Sequence, residues 1–115
     1  MLTVCKEYRH GILFIRLYGQ LIDKTILKYH NNIIKEVIDI GLRYIVLNIN
    51  GLNDIDQEGI NKLIDTSKLC QDNDGCMLIC GINHHININD SHLFDYIMEI
   101  PNEKAADKVI DMRVR

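Results

Sequence analysis

The segment Asn53-Asp54-Ile55-Asp56-Gln57-Glu58-Gly59 is the most informative in the chain. It follows an apolar run and precedes a stretch with helical spacing. Free N–H groups at a helix start carry partial positive charge and favour anions. Asp56 as N-cap and Glu58 in the first turn are both stabilised there. Ordinary helix capping explains these two carboxylates. A recognition or regulatory site built on the same turn is the sharper alternative.

The other reactive residue types sort less favourably. Cys80, His84, His85 and His92 are close in sequence, and Cys76 precedes them. Zinc ligands usually come in pairs two to four residues apart that converge on one point. Cys76 and Cys80 instead share one face of an apolar run, so buried thiols and loop histidines are expected, with no metal. Ser67 and Ser91 lack the Gly-x-Ser-x-Gly setting of a nucleophile elbow. No Gly-x-x-x-x-Gly-Lys-Ser/Thr loop marks a nucleotide site. No cofactor is expected, and the chain reads as a binder rather than an enzyme.

The elements that position these residues follow from periodicity. Thr3 to Tyr8 reads as an edge strand, Arg9-His10-Gly11 as a tight turn, and Ile12 to Leu17 as the second strand of a hairpin. Gly19 and Asp23 punctuate the chain, with Asp23 placed to cap a helix over Thr25 to Ile40. On it Ile26, Ile33 and Val37 form one stripe, with Ile34 and Ile38 beside it. Gly41 stops that helix. Tyr44 to Ile49 is apolar throughout, as a strand buried on both faces is, and Gly51 to Asp56 reads as a polar loop. A second helix spans about Gln57 to Cys70, with Ile60, Leu63, Ile64 and Ser67 inward. Asp72 to Gly75 is a turn, and Cys76 to Ile82 a buried strand. Asn83 to Ser91 is a poorly patterned loop with room for one broken helical turn. Tyr96 to Ile100 is a last short strand, and Asn102 caps a terminal helix carrying Ala105, Ala106, Val109 and Ile110.

The order β-β-α-β-α-β-(α)-β-α defines a single α/β domain over residues 1–115. Right-handed crossovers make the later strands parallel. The expected sheet is mixed but mostly parallel, with four to five strands, an N-terminal hairpin and packed helices. Working surfaces of such sheets lie beyond the carboxyl ends of the strands. Here that means Gly19 to Asp23, Asn53 to Gly59 and Ile82 to Ser91.

Composition bounds the function. The 115 residues carry a formal net charge of −3, and no basic run is present, which argues against a nucleic-acid partner. No stretch of about 18 or more apolar residues marks a membrane span. The first residues do not resemble a signal peptide, so a cytoplasmic location is expected. The four cysteines are then expected as reduced thiols.

With these segments in order, the chain resembles the STAS domain of bacterial anti-sigma factor antagonists and sulfate transporter tails. Ile15-Arg16-Leu17-Tyr18-Gly19-Gln20-Leu21-Ile22-Asp23 resembles the family's strand ending in Gly-Glu-Leu-Asp. Tyr44 to Ile49, followed by Leu52 and Ile55, resembles its central strand and loop. Asp56-Gln57-Glu58-Gly59-Ile60 falls where the family has Asp-Ser-Ser-Gly-Leu or Asp-Ser-Thr-Gly-Leu. Gly75-Cys76-Met77-Leu78-Ile79-Cys80 resembles the Gly-Gly-x-apolar strand that follows.

The resemblance implies a protein that regulates transcription by binding an anti-sigma factor of the serine-kinase type. In the family, that kinase phosphorylates the serine after the aspartate, and the added charge of ~−1.5 to −2 breaks the complex. Gln57 stands at that acceptor position here, and an amide takes no phosphate. Glu58, next to it, offers one negative charge of different shape. The Asn83 to Ser91 segment also departs from the family, being shorter and without a helix pattern. The implied binding surface is Asp56 to Leu63 with Asn53, Asp54 and Asp23 nearby: Asp56, Gln57, Glu58 and Gly59 for polar specificity, Ile60 or Leu63 for apolar contact. Two alternatives stay open, a scaffold module that assembles with other STAS chains and a sensor that holds a small anion at the helix start.

Overall fold

The computed structural model describes residues 1–88 and 92–114, with side chains described as far as residue 111. Strand β1 (Leu2–Arg9) and strand β2 (Ile12–Leu21) form an antiparallel hairpin. Its turn is built by His10 and Gly11, both at positive φ (54° and 79°), the twist-matched two-residue type. A continuous helical run follows. It comprises a 3-10 turn at Asp23–Thr25, α1 (Ile26–Tyr29), a π-helical segment at His30–Ile34, and α2 (Lys35–Ile40). Gly41 closes it in the left-handed conformation at φ 71°, which a residue without Cβ adopts freely. Then come β3 (Tyr44–Ile55), α3 (Gln57–Asp72) and β4 (Cys76–Cys80). A 3-10 turn at Leu93–Asp95, β5 (Met98–Glu99), a 3-10 turn at Glu103–Ala105 and α4 (Ala106–Val114) complete the chain.

The five strands lie in the order β1-β2-β3-β4-β5. Only β1 and β2 are antiparallel; β2–β3, β3–β4 and β4–β5 are parallel. This is the mixed, mostly parallel sheet with an N-terminal hairpin that the sequence predicts. Alternation along each strand assigns side chains to the two faces. Leu13, Ile15 and Leu17 of β2, Ile45, Leu47 and Ile49 of β3, and Met77 and Ile79 of β4 join the main core with Tyr29, Ile33, Val37, Leu63 and Cys70 from the helices. Ile12, Phe14, Val46, Cys76, Leu78 and Cys80 point the other way, onto Ala106 and Ile110 of α4. One face of the sheet thus carries α1, α2 and α3, and α4 covers the other.

Five expectations need correction. Strands β2 and β3 run further than their apolar cores, because the pairing continues from Tyr18↔Gly51 to Leu21↔Ile55 past two register shifts. Gly19 lies inside β2 and does not end it. Its φ is 94°, and an added Cβ would strike the Met1 carbonyl. Asn53 and Asp54 accordingly sit on the end of a strand, not in a loop. Asp23 is not the helix cap: Ile22 occupies that position, and the Thr25 hydroxyl accepts its N–H at 3.0 Å. Finally, Ile38 is 59% exposed. It follows Val37 on α2, about 100° further round the helix, so it lies at the margin of the stripe that Ile33 and Val37 bury.

Candidate functional site

Four elements meet at the carboxyl end of the parallel strands, and Asp56 ties two of them together. It sits between β3 and α3 in extended backbone conformation (φ −106°, ψ −177°). Its Oδ1 accepts the N–H of Gly59 at 2.9 Å, capping α3 as the sequence predicts. Its Oδ2 accepts the N–H of Asp23 at 2.9 Å, and its own N–H donates to the Leu21 carbonyl at 3.3 Å. One carboxylate therefore fixes the start of α3 and the chain leaving β2. Such charge-assisted bonds to backbone are stronger than neutral ones.

Gly59 allows this packing. It is buried in the first turn of α3, and an added Cβ would strike the Leu21 carbonyl oxygen and press on the Ile55 side chain. Thr25, which the sequence reading passes over, organises the other side. Its hydroxyl donates within reach of Gln20 O (2.9 Å) and Ile22 O (3.1 Å) while accepting from Ile22 N. The available signal was a threonine three residues after the cap position, which is the spacing of a capping box.

Gln57 and Glu58 project outward from this frame, and both are exposed. Gln57 Nε2 donates to Asn61 Oδ1 one turn along at 2.9 Å. Asp23, Asn53 and Asp54 are also exposed. Ile60 and Leu63 are not: they are 5% and 0% exposed and belong to the main core. The apolar contact expected from Ile60 or Leu63 is thus absent from the surface, and the exposed residues here are polar.

A groove of about 740 Å³ runs from this turn along the outer flank of α3. It is bordered by Gln57, Glu58, Lys62 and Lys68 on the helix and by His92 and Tyr96 opposite. Lys68 Nζ lies 5.0 Å from the centre of the Tyr96 ring. The two hydroxyl candidates further along α3 face inward. Thr66 and Ser67 are each 0% exposed. Thr66 bonds the Tyr29 hydroxyl and the Lys62 carbonyl, both at 2.7 Å, and Ser67 donates to Tyr96 O at 2.7 Å.

The remaining chemistry-bearing residues do not converge. Cys76 and Cys80 are buried under α4, and Cys70 lies in the other core. Burial pushes the Cys70 thiol up to about 12 and the Cys80 thiol up to about 11, so neither forms a thiolate ligand readily. His84 and His85 stack on each other at 4.2 Å in the loop after β4. His92 Nδ1 lies 3.3 Å from Asp95. Among the described residues no three His, Cys, Asp or Glu side chains gather as a metal would require. Ser91 lies outside the described residues. No helix among them is long and apolar enough to cross a membrane.

The STAS domain family model matches residues 4–106, and the chain belongs to the STAS domain family. The fold is shared with solved structures at low sequence identity. The anti-sigma factor antagonist SpoIIAA in its unphosphorylated form is 17% identical, with a TM-score of 0.72 over 93% of this chain and 97% of that one. The phosphorylated form of SpoIIAA, a Bacillus cell fate determinant, is 18% identical, with a TM-score of 0.70 over 93% and 99%. A serine-to-glutamate variant of RsbS from Moorella thermoacetica is 14% identical, with a TM-score of 0.77 over 97% of each chain.

Proposed function

We propose that this domain regulates transcription as an anti-sigma factor antagonist, by binding an anti-sigma factor of the serine-kinase type or a related protein, and that it catalyses nothing itself. The observation that carries this reading is the Asp56 junction. Two exposed side chains, Gln57 and Glu58, stand on a helix start whose backbone is tied to the neighbouring β2 exit at 2.9 Å. A rigid polar platform of this kind suits recognition of a preformed partner surface, because little ordering entropy is lost on binding. The family relationship and the likeness to antagonist structures support the choice of partner class. The binding face comprises Asp23, Asn53, Asp54, Asp56, Gln57, Glu58 and Gly59. Ile60 and Leu63 support it from the core. Gln57 takes the place of the family's acceptor serine, so the complex is not released by phosphate at that position.

A small-anion sensor fits the site less well. The Gly59 N–H at the α3 start is already taken by the Asp56 carboxylate, Glu58 stands in the same turn, and added negative charge meets repulsion there. The test is affinity capture from the native cell, followed by titration of the recovered partner with the unmodified domain and with Glu58→Lys. Capture of an anti-sigma factor whose affinity falls with Glu58→Lys supports the reading. Recovery of STAS chains alone, insensitive to Glu58→Lys, refutes it in favour of a scaffold.

A further inference from the structure

We infer that two copies of this chain pair through the free edge of β1, antiparallel about a two-fold axis at Cys5, to form one continuous sheet. This inference is independent of the proposed partner-binding face, which is built on the end of β3 and the start of α3 and not on the outer edge of β1. Strand β1 ends the sheet order, and it offers eight residues of edge. Its hydrogen-bond parity is fixed. Met1 O accepts from Gln20 N at 2.9 Å, and Arg9↔Ile12 closes the two-residue turn. Odd-numbered residues therefore exchange bonds with β2, and the N–H and C=O groups of Leu2, Val4, Lys6 and Tyr8 point outward.

Exposed edges are usually blunted by charge, proline or a bulge. Here β1 has no proline and pairs with β2 in unbroken register. Its charges are engaged within the chain. Lys6 Nζ is 2.9 Å from Glu36 Oε2, and the two Glu7 oxygens lie 2.9 Å from Arg16 and 3.2 Å from Arg9. A two-fold axis normal to the sheet keeps equivalent faces together, so it must pass through one residue of the strand. An axis at Lys6 or Glu7 sets like charges opposite each other, and one at Val4 shortens the pairing. The axis at Cys5 sets Lys6 opposite Val4, Glu7 opposite Thr3 and Tyr8 opposite Leu2, with no like-charged side chains facing. On the helical side, α2 borders the same edge through Glu36, and a groove of about 390 Å³ there includes Ile40. Ile40 is 61% exposed on α2 beside that groove, apolar surface that a second copy of α2 would cover.

The register makes a specific demand. Cys5 is the exposed cysteine of the four, and at the axis it meets its own copy as a non-hydrogen-bonded pair. Cα atoms of such pairs lie about 4.5 Å apart, within disulfide reach. The experiment is sedimentation equilibrium of the reduced chain up to millimolar concentration, with copper-phenanthroline supplied as oxidant in a parallel sample. A dimer is expected, with a Cys5–Cys5 link located by peptide mass mapping and absent from Cys5→Ser. Thr3→Glu, facing Glu7 of the second copy twice, should weaken the dimer about fivefold, and Thr3→Lys should tighten it. Val4→Pro should abolish the dimer while far-ultraviolet circular dichroism is retained, because the lost N–H points outward. A monomer throughout, or a dimer that neither links at Cys5 nor responds oppositely to Thr3→Glu and Thr3→Lys, overturns the inference.

Discussion

Asp56 accepts two backbone N–H groups with its two carboxylate oxygens, and removing it should cost more than one helix cap. Asp56→Ala is expected to lose about 1–2 kcal/mol for the cap and a further ~1 kcal/mol for the Asp23 tie, read as a fall in the urea midpoint. Gly59→Ala forces a Cβ against the Leu21 carbonyl, and overpacking of this kind costs about 1–3 kcal/mol. It should destabilise the fold although alanine favours helices. The thiols separate by exposure. In native protein under Ellman's reagent one thiol, Cys5, should react promptly, and Cys70, Cys76 and Cys80 only on unfolding, since they are buried. Fast reaction of Cys76 and Cys80 as well would show that α4 leaves its sheet face readily.

At the scale of elements, α4 is held to the sheet by more than apolar contact. Arg16 donates to both oxygens of Glu103 at 2.9 and 2.8 Å, and Asn48 Nδ2 donates to the same carboxylate at 3.0 Å. The Arg16 bonds, with Asn48 assisting, hold the Glu103 carboxyl below the usual carboxylate range against the opposing effect of burial. A depressed folded value contributes stability above the unfolded carboxylate pKa of about 4.3, and that contribution is lost as pH falls through the folded value. Glu103→Gln should therefore be less stable than the parent by about 1.5–3 kcal/mol at neutral pH. The gap should narrow as pH falls below about 4.3 and vanish once Glu103 is protonated in the folded chain; a gap that persists after that protonation would mean the carboxylate charge is not what holds α4. The element order and the Asp56 and Asn102 caps were legible in the sequence because periodicity and cap chemistry are local signals. The reach of β2 and β3 was not, because Gly19, Gly51 and Asn53 look like turn residues until the neighbouring strand supplies their hydrogen bonds. The π-helical segment at His30–Ile34 likewise has no local signature.

For the whole molecule, a sheet buried on both faces leaves function to its rim. The polar run from Asp54 to Glu58 was legible as a candidate surface, but which neighbours share that surface was not. Ile60 and Leu63 have the right spacing for either a core or a contact, and only tertiary packing shows them inside. The same packing restricts where a phosphate could go. Incubation with a cognate-type kinase and ATP should leave the 54–59 peptide unmodified, and also Thr66 and Ser67, whose hydroxyls are sealed in hydrogen bonds. Phosphate on either residue by mass spectrometry would show that the switch had moved into α3. The central claim is that the start of α3 is the recognition surface. Glu58→Lys puts a positive charge in the first turn of the helix, a cost of about 0.3–1 kcal/mol, small beside a domain stability of ~5–15 kcal/mol. A desolvated charge pair at an interface loses ~2–5 kcal/mol when one partner is removed, at least about 30-fold in affinity. The measurement is titration of the captured anti-sigma factor with the parent, Glu58→Lys and Asp23→Lys chains, alongside their thermal melts. Affinity lost by that factor with melting little changed is the predicted result; unchanged affinity in both variants would contradict it.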